Sequence, residues 1–147
     1  MTHVVILNGP NLNLLGTREP AIYGSATLGD IETMVRTRAD QLGVTIDSVQ
    51  SNHEGELVDL VQGLRARAQG AIVNLGAYTH TSLALRDAFL AAPLPFVEVH
   101  LSNLFTREPA RHRSVTADLA VGMICGFGAQ GYVLALEGLI AVLGRSN

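Results

Sequence analysis

Cysteine is nearly missing from this chain: one residue, Cys125, stands among 147. That excludes an internal disulfide framework and fits a reducing compartment, the cytoplasm. Cys125 lies in an apolar run and reads as a buried, inert thiol. No apolar run reaches the eighteen or so residues of a membrane span, and no basic segment followed by an apolar core opens the chain, so neither a membrane anchor nor a secretory signal is expected. Excess positive charge is missing too. Ten Lys and Arg stand against thirteen Asp and Glu, a net charge of −3, which argues against a nucleic-acid partner. No pair of histidines has metal-ligand spacing, so no metal site is expected. Internal repeats, low-complexity segments and domain boundaries are likewise not seen, and residues 1–147 read as one domain able to bury a core.

What the chain does have is apolar residues, 48% of the total, in an alternating pattern. Short β-branched runs occur at residues 4–7, 44–49, 71–75, 96–99 and 121–125. All but the second are continuous enough to predict strands buried on both faces, as in a parallel sheet. The second carries Asp47 and Ser48 and reads as an edge strand. Helical patterns separate the runs, at about residues 28–42, 54–68, 82–92 and 129–143. Thr27 with Asp30 resembles a capping box for the first, and Gly43 stops it. Ser51 and Thr81 are the cap candidates for the second and third, while Gly70, Pro93 and Gly144 follow the last three. Only a short irregular helix fits between strands four and five, within residues 104–113. The order βαβα predicts a doubly wound, five-stranded parallel sheet with right-handed crossovers. So apolar a chain also suggests surface buried between subunits.

Ligands of open parallel sheets bind at the carboxyl ends of the strands, and there the unusual polar residues collect. Strand one runs into a long connection, residues 8–24, holding Asn11, Asn13, Arg18 and Tyr23; such lengths are usually functional. Strand two ends in Ser51-Asn52-His53-Glu54. Strand three ends at Asn74, followed by His80, and strand four in Glu98-Val99-His100-Leu101-Ser102-Asn103. Glu98 and His100, two apart in a strand, share a side; a carboxylate there would fix the imidazole's tautomer and raise its basicity. His3, His53 and His112 read as surface or loop residues. Arg107, Arg111, His112 and Arg113 form a basic run, either a solvated face or a grip on a small anion. Gly9, Gly16 and Gly24 match no phosphate-loop or dinucleotide fingerprint.

The blocks Asn8-Gly9-Pro10-Asn11-Leu12-Asn13-Leu14-Leu15-Gly16, Arg18-Glu19-Pro20, Tyr23-Gly24, Gln50-Ser51-Asn52-His53-Glu54-Gly55, Thr79-His80-Thr81-Ser82, Leu85-Arg86-Asp87-Ala88, Glu98-Val99-His100-Leu101-Ser102-Asn103 and Arg107-Glu108-Pro109 together resemble the type II 3-dehydroquinate dehydratases, over essentially the whole length. The resemblance implies a flavodoxin-like, three-layer α/β/α fold. It also implies a cofactor-free dehydration of 3-dehydroquinate to 3-dehydroshikimate through an enolate, by anti elimination, in aromatic biosynthesis or quinate breakdown. Residue by residue, Tyr23 matches the base. A free tyrosine has a pKa of about 10, and Arg18 matches a loop arginine whose charge favours the phenolate. His100 matches the general acid, Glu98 its orienting carboxylate, and Asn11 the residue that holds a water against the enolate oxygen. Asn74, the Leu101 and Ser102 amides, Arg111 and His80 match the substrate-holding set. Asp87 matches a residue that reaches into a neighbouring subunit's site, within trimers gathered into a dodecamer. Leu75, Ala110 and Val115 depart from the residues common in the family. In this reading residues 8–16 are fixed, and residues 18–24 form a mobile lid carrying base and activator.

Two other readings remain open on the sequence. One is a flavodoxin-like module that binds flavin or a small anion, which the weak glycine loops and the lack of Trp disfavour. The other is a catalytically silent paralogue, which the Arg18, Tyr23, Glu98 and His100 set disfavours.

Overall fold

In the computed structural model, residues 1–17 and 19–145 are described. Five strands, β1 (His3–Asn8), β2 (Thr45–Gln50), β3 (Gly70–Asn74), β4 (Phe96–His100) and β5 (Gly122–Cys125), form a wholly parallel sheet in the order β2-β1-β3-β4-β5. This is the doubly wound order of flavodoxin-like folds, whose ligand crevice lies between β1 and β3, where the winding reverses. The helices are α1 (Pro20–Tyr23), α2 (Leu28–Leu42), α3 (Glu54–Gly63), α4 (Leu83–Ala91) and α5 (Gln130–Arg145).

The alternation of strand side chains sorts the core into two layers. Val4, Ile6, Ile72, Val97 and Val99 point to one face, against Ile31, Val35 and Ala39 of α2 and Tyr132, Leu136 and Leu139 of α5. Val5, Leu7, Ala71, Val73 and Phe96 point to the other, against Leu57 and Val61 of α3 and Leu85, Ala88 and Phe89 of α4. Each of the larger of these side chains, Val, Leu, Ile or Phe, contributes roughly 1.5–3 kcal/mol when fully buried, before the cost of ordering the chain.

Helix α2 begins as its sequence predicts. Thr27 Oγ1 accepts from the Asp30 amide at 3.1 Å, and Asp30 Oδ2 accepts from the Thr27 amide at 3.0 Å; Gly43, at φ 71°, closes the helix. Two caps differ from expectation. The Ser51 hydroxyl accepts from the His53 amide, so His53 becomes the N-cap of α3. Ser82 rather than Thr81 caps α4, accepting from Leu85, because the turn at residues 76–80 delays the helix by one residue. The predicted second helix tightens after Gly63 into a 3-10 turn, Leu64–Ala66, and the last continues through Gly144 to Arg145. Strand β2 is an edge, as expected. Strand β5 is the other edge and is half exposed, not buried on both faces: its apolar run reflects a partly solvent-facing border rather than a central position. Cys125 within it is correspondingly only half-buried. No helix among the described residues is long and apolar enough to cross a membrane.

Candidate active site

The carboxyl ends of β1, β3 and β4 border a cleft lined by Asn11, Tyr23, Asn74, His80, His100, Leu101, Ser102, Arg107 and Arg111, among others. Its place at the strand ends, with several polar side chains converging on it, suits a small-molecule site. Close approach of two loops shapes its floor. The Gly9 amide donates to the Asn74 carbonyl at 2.7 Å, and a Cβ at Gly9 would collide with the backbone of Leu75. Leu75, one of the departures from the family, is thus a core residue against which the first loop packs. Asn11 sits at φ 68°, a left-handed conformation that asparagine tolerates better than most residues. Its amide donates to Asn52 Oδ1 at 3.0 Å, and Gln50 Nε2 ties the Gly9 carbonyl at 3.1 Å.

Strand parity explains the polar floor. Asn8 and Asn74 are register partners and share a face with Ile6 and Ile72, toward α5. There the Tyr132 hydroxyl donates to Asn8 Oδ1 at 2.6 Å and accepts from Asn74 Nδ2 at 2.9 Å. Burial pushes the Tyr132 phenol far above its ordinary range, so it stays a neutral donor. The Gly76 amide donates to Asn74 Oδ1 at 3.1 Å. Asn74 is therefore held at both ends of its amide.

Parity also turns Glu98 and His100 to the opposite face, shared with Phe96. His100 Nε2 lies 2.8 Å from Glu98 Oε2, and both side chains are buried. Burial alone would push the Glu98 carboxyl up. The hydrogen bond and charge of His100, with the hydroxyls of Thr116 and Ser114, outweigh it and hold the group below its ordinary value. The carboxylate is thus an acceptor, His100 Nε2 is the donor, and Nδ1 is left as the other ring nitrogen of a residue that lines the cleft. The His80 ring stacks on that of His100 with centroids 6.3 Å apart. Its Nδ1 donates to the Arg113 carbonyl at 2.7 Å. Burial lowers the His80 pKa, overcoming that bond, and the nearby His100 and Arg111 charges add to the lowering. His80 is therefore neutral at pH 7, with Nε2 free to accept.

On the facing wall, α1 lifts Tyr23 over the cleft. Arg107 Nη2 donates to the Tyr23 hydroxyl at 3.1 Å, and Nη1 to Ser102 Oγ at 3.2 Å. The guanidinium carbon lies 5.3 Å from the Tyr23 ring centroid, and the His112 ring holds the Arg107 carbonyl at 2.7 Å. Arg111 reaches the cleft with its guanidinium paired to Glu108.

The structure thus brings Asn11, Tyr23, Asn74, His80, His100, Leu101, Ser102 and Arg111 to one cleft, with Glu98 directly behind His100. Asp87 is not among them; it is exposed on α4. Arg18 lies outside the described residues. Arg107, read in the sequence as part of a basic run and of the Arg107-Glu108-Pro109 block but given no role of its own, donates to the Tyr23 oxygen. Thr116, Ser114 and the hydroxyl of Tyr132 had no sequence signal, since each acts through a contact distant in sequence. Among the described residues, no three His, Cys, Asp or Glu side chains gather as a metal site would require.

The model of the class II dehydroquinase family matches residues 2–140. The chain is 56% identical to a 3-dehydroquinate dehydratase of Dinoroseobacter shibae over 96% of this chain and 94% of that one. It is 54% identical to a catabolic 3-dehydroquinase of Aspergillus terreus, covering 91% and 88% of the two chains. The crystal structure of type II dehydroquinase from Butyrivibrio crossotus superposes with a TM-score of 0.92 at 38% identity, over 95% of this chain and 97% of that one. With a matched model spanning nearly its whole length and relatives this similar, the chain belongs to the class II dehydroquinase family.

Proposed function

We propose that this protein dehydrates 3-dehydroquinate to 3-dehydroshikimate by anti elimination through an enolate. One observation carries the reading: the Tyr23–Arg107 pair and His100, with Glu98 bonded behind it, meet at a single cleft, one placed to take a proton and the other to give one. Tyr23 as phenolate removes a proton from the carbon next to the substrate's carbonyl. The electron pair passes into the carbonyl as an enolate, which Asn11 stabilises through a held water. When the enolate collapses, the carbon–oxygen bond to the neighbouring hydroxyl breaks; His100, carrying a proton on each ring nitrogen with Nε2–H kept on Glu98, gives its Nδ1 proton to the departing oxygen, which leaves as water. Only a proton and a hydroxide leave, with no net transfer of electrons, so the residues themselves suffice without a cofactor.

Arg107 on the phenol oxygen stabilises its negative charge, a role shared with Arg18 in this reading. Asn74, the Leu101 and Ser102 amides, Arg111 and neutral His80 hold the carboxylate and hydroxyls of the substrate. Residues 19–24 serve, with Arg18, as the lid. Asp87 acts in the site of a neighbouring copy. Leu83, Asp87 and Leu90 share one face of α4, and both leucines are exposed, which supports burial of this face against another copy; trimers gathered into a dodecamer are the assembly that the family resemblance implies. The protein works as one domain over residues 1–147 in the cytoplasm, where the lone thiol stays reduced. The test is to add 3-dehydroquinate to the purified protein and follow the ultraviolet absorbance of the conjugated enone. Steady product formation is expected; no product at high enzyme concentration sinks the assignment.

A further inference from the structure

We propose that residues 113–118 form a positioning strap whose two hydroxyls, on Ser114 and Thr116, fix Glu98 so that it holds His100 as proton donor. This rests on the dehydratase reading for its catalytic meaning but not for its geometry.

The segment lies between the 3-10 turn Pro109–Arg111 and strand β5 and crosses behind the cleft. Thr116 is fully buried, and its hydroxyl donates to Glu98 Oε1 at 2.5 Å. The Ser114 hydroxyl reaches the same oxygen at 3.0 Å. Ser114 Oγ already accepts from the amides of Thr116 at 3.2 Å and Ala117 at 3.0 Å. With its lone pairs so engaged, its proton is directed to the carboxylate. Glu98 Oε1 thus takes two hydroxyls, and Oε2 is left to His100. A buried carboxylate without those donors could rotate or take up a proton, and either would release the imidazole.

The strap also reaches the second histidine. The Arg113 carbonyl holds His80, and the Val115 amide donates to the Thr79 carbonyl at 2.8 Å. From α4, Arg86 fastens it twice, to the Val115 carbonyl at 2.8 Å and to Asp118 at 2.6 Å. Neither Ser114 nor Thr116 lines the cleft; both act through Glu98 and are positioning residues.

The test compares Thr116→Val, which keeps shape and loses the hydroxyl, with Thr116→Ser, which keeps it. Thr116→Val is expected to lower kcat about 10-fold to 100-fold, the loss of a hydrogen bond to a charged group, with KM within about twofold. Glu98 is held low in part by these hydroxyls. Losing one raises its pKa, so the acid limb of the kcat–pH profile moves to higher pH. Other groups facing the pair, His100 itself, His80 and Arg111, are unchanged in both variants. Thr116→Ser restores kcat and the acid limb.

A readout free of activity accompanies this. Nitrogen-15 spectra of the histidine rings should show His100 Nε2 protonated throughout in the wild type, whatever the state of Nδ1, and a mixed population at Nε2 in Thr116→Val. Should Thr116→Val fail to fold, Ser114→Ala serves in its place with a smaller shift of the same sign. Unchanged ring spectra and acid limb in a folded variant, or loss of kcat in Thr116→Ser as large as in Thr116→Val, would overturn the strap. Ring spectra that shift in Thr116→Val, with a wild-type protein that turns over no 3-dehydroquinate, would uphold the strap and reject the dehydratase reading.

Discussion

The two walls of the cleft are built on opposite plans. On the β4 side, Glu98 and His100 stand on an interior strand and are buried, and Glu98 is held by two hydroxyls. On the α1 side, Tyr23 sits on a four-residue helix with no buried residue, entered through Glu19 at φ 40°. In the proposed mechanism, sheet geometry fixes the acid by keeping His100 Nε2–H on Glu98. In the same reading the short exposed helix presents the base, which closes over each new substrate and releases each product. Preorganisation and access are thus assigned to different walls, which matters because a single rigid site could not readily admit a ligand and also exclude water.

The largest test of this contrast removes the base. Tyr23→Phe should cut kcat by about 10³-fold, within the range for a positioned proton-transfer group, with binding of a substrate analogue and the melting temperature unchanged. A calorimetric titration and a thermal scan check both, and a fall in stability would show that α1 is part of the rigid frame after all. A smaller effect is expected at its partner. Arg107→Lys keeps the charge but not the fork that reaches Tyr23 and Ser102 together, so kcat should fall about tenfold by steady-state kinetics. Full activity in that variant would mean that the base has no need of Arg107. The smallest effect on rate belongs to the rigid side. Tyr132→Phe should cost about 1–2 kcal/mol in denaturant unfolding, because Asn8 and Asn74 lose a buried partner, while kcat stays within about threefold. A large loss of rate without loss of stability would reverse the division.

How much of this was legible in the sequence follows the same divide. The strands, the α2 capping box and the Glu98–His100 pairing rest on local periodicity, and each appears where its spacing placed it. The half-exposed state of β5 was not legible, since an apolar run looks alike at a border and in the middle of a sheet. Arg107 was visible only as charge, because its partner Tyr23 lies 84 residues away. The strap was invisible: Ser114 and Thr116 resemble any loop serine and threonine until the chain returns them beneath β4. Asp87 was named through resemblance alone, and within a single chain it meets none of the cleft residues.

The buried hydroxyl of Tyr132 has a consequence in time. It reaches back 58 residues to Asn74 and 124 to Asn8. Synthesis runs from the N-terminus and domains fold as units, so every strand of the sheet exists before α5 does. A nascent chain that has made all five strands still lacks the hydroxyl that bonds Asn8, and holds Asn74 at only one end of its amide. Helix α5, made after every strand of the sheet, is therefore the one that completes the setting of the Asn74 amide, and on the proposed function a growing chain stalled before residue 132 should grip its ligand poorly.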